Sequence, residues 1–140
     1  MKIYFAASIR GGRDDIPTYF ELIKLLQNHG TVLTEHIGDQ KLDKLGETSL
    51  NDANIHDRDM RWLLKSDIII AEVTNPSLGV GYEIGRAIEN NKKVICLYKK
   101  YINKNISAMI LGSSNIISYD YDDIHSLKKV VNNIFKDFNG

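Results

Sequence analysis

Asp67-Ile68-Ile69-Ile70-Ala71-Glu72-Val73 is followed directly by Thr74-Asn75-Pro76-Ser77-Leu78-Gly79-Val80-Gly81-Tyr82-Glu83. Consecutive isoleucines with no polar alternation mark a strand covered on both faces, the habit of a parallel sheet. The Asn-Pro-Ser turn then hands the chain to a segment with helical spacing. Outward from this unit, Lys2–Ala6, Thr31–Leu33, Lys93–Tyr98 and Ile116–Tyr119 read as the other strands. Helices are expected over Ile16–Asn28, Asn54–Lys65, Val80–Asn90 and Ile124–Phe138. In the first, Ile16, Phe20, Ile23 and Leu26 share a face, and Gly30 stands where a C-cap belongs. In the last, Ile124, Leu127, Val131, Ile134 and Phe138 form the stripe. Strands alternating with helices imply an α/β fold: a flavodoxin- or Rossmann-like three-layer sandwich on a five-stranded parallel sheet, expected in the order 2-1-3-4-5.

The chain has 140 residues, 43% hydrophobic and 26% charged, so residues 1–140 are expected to form one domain. Its formal net charge is zero, which argues against a nucleic-acid polymer or an anionic membrane as partner. The one cysteine, Cys96, lies in an apolar run and is expected to be buried and inert. The apolar stretch after Met1 is too short for a signal peptide, so a cytoplasmic protein is expected, with the nucleus an alternative in a eukaryote.

In such a sheet, ligands bind beyond the carboxyl ends of the strands where the winding reverses. For order 2-1-3-4-5 this brings together the loops Ser8–Arg13 and Thr74–Gly79. In the first, Gly11 and Gly12 let backbone N–H groups turn to a ligand, while Ser8 and Arg10 or Arg13 supply donors, a set suited to phosphate. A plain Gly-Gly turn with solvated arginines fits equally well. In the second, Ser77 stands at a helix start, where free N–H groups attract anions. Glu83 is expected in the first turn of that helix, where the dipole lowers a carboxylate's pKa and keeps it ionised. Compensation of that dipole alone also explains an acid there.

Gly79, Gly81 and Gly85 do not fit the dinucleotide fingerprint, whose third glycine comes one residue earlier and which follows the first strand. Asp59 borders the apolar stripe of its helix through Met60 and Leu63, whereas Asp57, Arg58 and Arg61 read as a solvated face. His36 and His56 lack metal-ligand spacing, and His29 and His125 read as surface residues. No metal and no cofactor are expected.

Several segments together resemble the 2′-deoxynucleoside 5′-phosphate N-hydrolases, which stand among the nucleoside 2-deoxyribosyltransferases. They are Tyr4-Phe5, Ser8-Ile9-Arg10-Gly11-Gly12-Arg13, Gly30-Thr31-Val32-Leu33-Thr34-Glu35-His36, Ala71-Glu72-Val73-Thr74, Pro76 through Glu83, Gly85-Arg86-Ala87 and Ser107-Ala108-Met109-Ile110. The likeness runs from about Lys2 to Gly112 and implies the fold deduced above. It implies that Glu83 is the nucleophile, that Asp59 assists departure of the base and that Tyr4 positions Glu83. It implies substrate contacts at Ser8, Ile9, Arg10, Gly11 and His36, and at Ser77, Gly79, Ser107 and Met109. A retaining two-step route through a glycosyl-enzyme follows, with free base and 2-deoxyribose 5-phosphate as products.

Transferases of this group usually carry an aspartate at the position of Ser77 and an asparagine at that of Ser107. A carboxylate repels a phosphate dianion where serine donates to it, so the substrate expected is a deoxynucleoside monophosphate. The resemblance also implies a homodimer in which Ser107 reaches the neighbouring subunit's site. Gly38–Asn51 is weakly matched and is the region expected to cover the base, and Lys99–Asn105 reads as a solvated loop. The alternatives are a CMP-type ribonucleotide N-glycosidase, a deoxyribosyltransferase and a nucleotide-binding module without catalysis.

Overall fold

The chain is described by a computed structural model over residues 1–9, 16–34, 50–100 and 105–139, with residues 138 and 139 described by their backbone alone. Its strands are β1 (Lys2–Ala7), β2 (Thr31–Val32), β3 (Ile68–Glu72), β4 (Lys93–Lys99) and β5 (Ile116–Tyr121). All pair in parallel, in the order β2-β1-β3-β4-β5. The helices are α1 (Ile16–Gln27), α2 (Asp52–Lys65), α3 (Leu78–Glu89), α4 (Ala108–Leu111) and α5 (Ile124–Asn139). No helix among the described residues is long and apolar enough to cross a membrane.

The isoleucine run does what its composition dictates. Every residue of β3 is buried, with Ile68 and Ile70 in one core and Ile69 and Ala71 in the other. The first core is closed by α1 and α5 through Tyr19, Leu22, Leu26, Leu127, Val131 and Phe135. The second is closed by α2 and α3 through Met60, Leu63, Val80, Ile84 and Ala87. Each large aliphatic side chain so buried stabilises the fold by about 1.5–3 kcal/mol. Cys96 is fully buried in the second core, and burial pushes its thiol up to about 12, so it is inert as expected.

Several local expectations are corrected. On α1 the inward residue is Tyr19, while Phe20 lies outside with the Lys24 ammonium 4.3 Å from its ring centre. Ile124 is likewise exposed and Phe135 takes the core position on α5, while the side chain of Phe138 lies outside the description. Gly30 is not a helix cap: a Cβ there would stand 2.5 Å from the Met1 carbonyl oxygen, so the close approach of two chain segments requires glycine. His29 is half-buried and stacks on Phe135 with ring centres 4.5 Å apart. The four-residue α4 gave no periodic signal because it is barely one turn long.

The register sets Ala7 beside Glu72, so β1 and β3 end together at the reversal of winding. Glu72 is 1% exposed and faces the α1–α5 side. Its carboxylate accepts hydrogen bonds from the Thr74 N–H at 2.7 Å, the Thr74 hydroxyl at 2.9 Å and the Tyr121 hydroxyl. Thr74 Oγ1 in turn accepts from the Lys99 N–H at 2.9 Å, tying the β3–α3 turn to the end of β4.

Candidate active site

On the opposite side of the sheet, three elements converge. Tyr4 points from the middle of β1 into the α2–α3 layer and is fully buried. Val80, Ile84 and Ala87 form the buried stripe of α3, and Glu83, one residue from Ile84, borders it. Asp59 borders the α2 stripe of Met60 and Leu63 in the same way. The Tyr4 hydroxyl donates to Glu83 Oε2. Asp59 is near enough for its charge to act on both partners.

Glu83 departs from expectation in two respects. Helix α3 begins at Leu78 with Ser77 as its cap, so Glu83 is in the second turn, beyond the reach of a strong dipole effect. Its pKa is raised, not lowered, to about 7. Burial is the largest cause and the Asp59 charge adds to it, while the hydrogen bond from Tyr4 opposes them. Burial and the charges of Glu83 and Asp59 hold the Tyr4 phenol far above its ordinary range, so it remains an O–H donor. Here desolvation outweighs the dipole.

Arg58 is also corrected. It does not lie on a solvated face: its side chain is 17% exposed and that of Asp59 24%. Arg58 Nε and Nη2 both donate to Asp59 Oδ1, at 3.0 and 2.9 Å, and the guanidinium lies 4.8 Å from the centre of the Trp62 ring. The Arg58–Trp62 spacing of four was the available signal. Asp57 and Arg61 are exposed as expected. His56 contacts Asp57 Oδ1 at 3.0 Å and the Tyr82 hydroxyl at 2.9 Å, and Arg86 donates to that hydroxyl at 2.6 Å. This link between α2 and α3 has no sequence signal, because its partners lie on different helices.

A cavity of about 790 Å³ opens between α3 and α4, lined mainly by apolar groups and including Ser77 and Ser107. Each serine caps a helix: Ser77 Oγ accepts from the Val80 N–H at 3.3 Å and Ser107 Oγ from the Met109 N–H at 3.1 Å. Accepting uses a lone pair and leaves each hydroxyl proton available to a ligand. Gly79 and Met109 stand beside these caps, and Met109 is 82% exposed. Ser8 is buried, and Ile9 packs against the α1–α5 core. Arg10, Gly11, Arg13, His36 and most of the segment expected to cover the base lie outside the described residues.

The sequence model described as Nucleoside 2-deoxyribosyltransferase matches residues 3–123. The chain belongs to the nucleoside 2-deoxyribosyltransferase family. It is 48% identical over 132 residues to a 5-hydroxymethyl-dUMP N-hydrolase of Danio rerio, covering 91% of this chain and 92% of the relative. It is 44% identical over 125 residues to the 5-hydroxymethyl-dUMP N-hydrolase of Homo sapiens, covering 86% and 72%. Among solved structures, a Clostridium botulinum CMP N-glycosidase superposes with a TM-score of 0.66 at 17% identity, covering 96% of this chain and 99% of that one. At that identity the likeness is one of fold. Within this deoxyribosyltransferase fold, the tyrosine and two acids meet on one side of the sheet, as described above.

Proposed function

We propose that the chain hydrolyses the N-glycosidic bond of 2′-deoxynucleoside 5′-monophosphates. The observation that carries this reading is a partly buried glutamate, Glu83, accepting from Tyr4 with Asp59 beside it. The relatives named as N-hydrolases support the substrate class. Ionised Glu83 attacks C1′ as the bond to the base breaks, and the bonding electrons leave with the base nitrogen, assisted by Asp59. Water then attacks C1′ of the glycosyl-enzyme and frees Glu83, and the proton it loses balances the one taken up by the base nitrogen, yielding free base and 2-deoxyribose 5-phosphate. Ser8, Arg10 and Ser77 receive the phosphate, and Ile9, Gly11, Gly79 and His36 complete the contacts to the substrate.

The acting unit is a homodimer in the cytoplasm, with Ser107 and Met109 of one copy completing the other's site. Support comes from Leu78, 97% exposed beside the apolar cavity, and from Gly81 and Gly85, whose Cβ positions meet only open space along α3. The test is to incubate the protein with dNMPs, matching NMPs and free deoxynucleosides and to follow free base by chromatography. Release from dNMPs alone is expected. Release only from NMPs overturns the deoxyribose assignment, and release from none overturns the enzyme.

A further inference from the structure

We propose that Arg58 is a positioning residue for the chemical step, holding one oxygen of Asp59 so that the other is presented to the substrate. This rests on the hydrolase reading given above. Neighbours on a helix point about 100° apart, so Arg58 must fold back along α2 to meet Asp59. It does so with two donors, Nε and Nη2, and both reach the same atom, Oδ1. An arginine fork more often spans both oxygens of a carboxylate. No described residue donates to Oδ2.

The flat side of the guanidinium is occupied as well. It lies over Trp62, one turn further along α2, and Trp62 packs against the α2–α3 core. Asp59 is therefore gripped at one oxygen by a cation that is itself held on a ring, in a pair largely withdrawn from water. Such a pair restricts rotation of the carboxylate and leaves a defined oxygen facing outward. A group that must meet a departing base needs that restriction, because misplacement by about 1 Å costs on the order of 100-fold in rate. The same cation counters the negative charges around Tyr4, where its effect opposes those of Glu83 and Asp59.

Lysine in place of Arg58 can supply the charge but not two converging N–H groups. The experiment is a double-mutant cycle on dNMP hydrolysis with Arg58→Gln, Arg58→Lys, Asp59→Asn and the two combined variants. Thermal midpoints confirm that each variant is folded. Arg58→Gln is expected to lower kcat by about 10–100-fold with KM within about twofold, Arg58→Lys restoring only part. In the Asp59→Asn background, either Arg58 change is expected to cost less than about twofold.

Equal losses in both backgrounds overturn the proposal, as does a loss confined to KM or an unchanged kcat. If Arg58→Gln does not fold, Arg58→Lys carries the same cycle with the same criteria. A wild-type protein that releases no base overturns the hydrolase reading, and this proposal with it. An active wild type with additive variants overturns only the role of Arg58.

Discussion

Glu72 and Glu83 bracket the same turn, yet the fold treats them in opposite ways. Glu72 ends β3 on the α1–α5 side, where its carboxylate accepts from two groups of Thr74 and from Tyr121. Glu83 lies on α3 on the other side, accepts from Tyr4 and faces the charge of Asp59. A buried carboxylate surrounded by donors fastens the structure around it. One with Tyr4 as its single donor among the described residues and a negative neighbour is held at a cost, and that cost leaves it poised near neutrality. Withdrawal from water alone does not set the state of a carboxylate; the surrounding donors and charges do.

The sharpest way to break this comparison is Glu83→Gln. Its turnover of dNMPs is expected to fall by at least about 1000-fold, roughly 4 kcal/mol in the barrier. Retained turnover removes Glu83 from the mechanism. The same variant is expected to be more stable at high pH. Folded Glu83 keeps its proton up to about 7, whereas its ordinary value is 4.5, so the wild-type fold loses stability as pH rises between them. The relief in Glu83→Gln is complete above pH 7, amounts to about 3 kcal/mol, and disappears below about pH 4.5. Urea titrations at pH 4 and pH 8 measure it, and equal stability differences at both pH values refute the raised pKa.

Glu72→Ala is expected to behave in the reverse sense. It leaves the Tyr121 hydroxyl and the Thr74 donors without this acceptor and lowers stability by about 3 kcal/mol at neutral pH. An unchanged urea midpoint contradicts the fastening role. Tyr4→Phe tests the other carboxylate's donor. Because the Tyr4 bond lowers the Glu83 pKa, its loss shifts the rise of activity, centred near pH 7 in the wild type, to higher pH. A drop of roughly tenfold in kcat accompanies it, and a pH–rate profile that does not move argues against the pairing. The smallest effect is expected of Ser77→Ala, which removes the α3 cap for about 1 kcal/mol of stability. It also raises KM for the phosphorylated substrate, and an unaltered KM removes Ser77 from phosphate binding.

The isoleucine run and the alternation of strands and helices were enough to read the sheet, because a parallel strand buried on both faces leaves no other pattern. Tyr4, Asp59 and Glu83 were singled out through motif order, and Asp59 also through its place beside an apolar stripe. Their electrical state was not. Glu83 was expected to be ionised by a helix dipole, and the structure moves it into the second turn, where burial raises its pKa. Arg58 read as a solvated cation because its helical position points away from the stripe; only the side chain's return to Asp59, over Trp62, showed otherwise.

The sequence by itself thus determined the parallel sheet and the order of its motifs, since apolar periodicity and residue spacing are written along the chain. Tertiary structure alone decided that Glu72 is satisfied while Glu83 is poised, and that Arg58 grips Asp59. Desolvation and hydrogen-bond partners depend on what packs nearby in space, and neighbours in space are not neighbours in sequence.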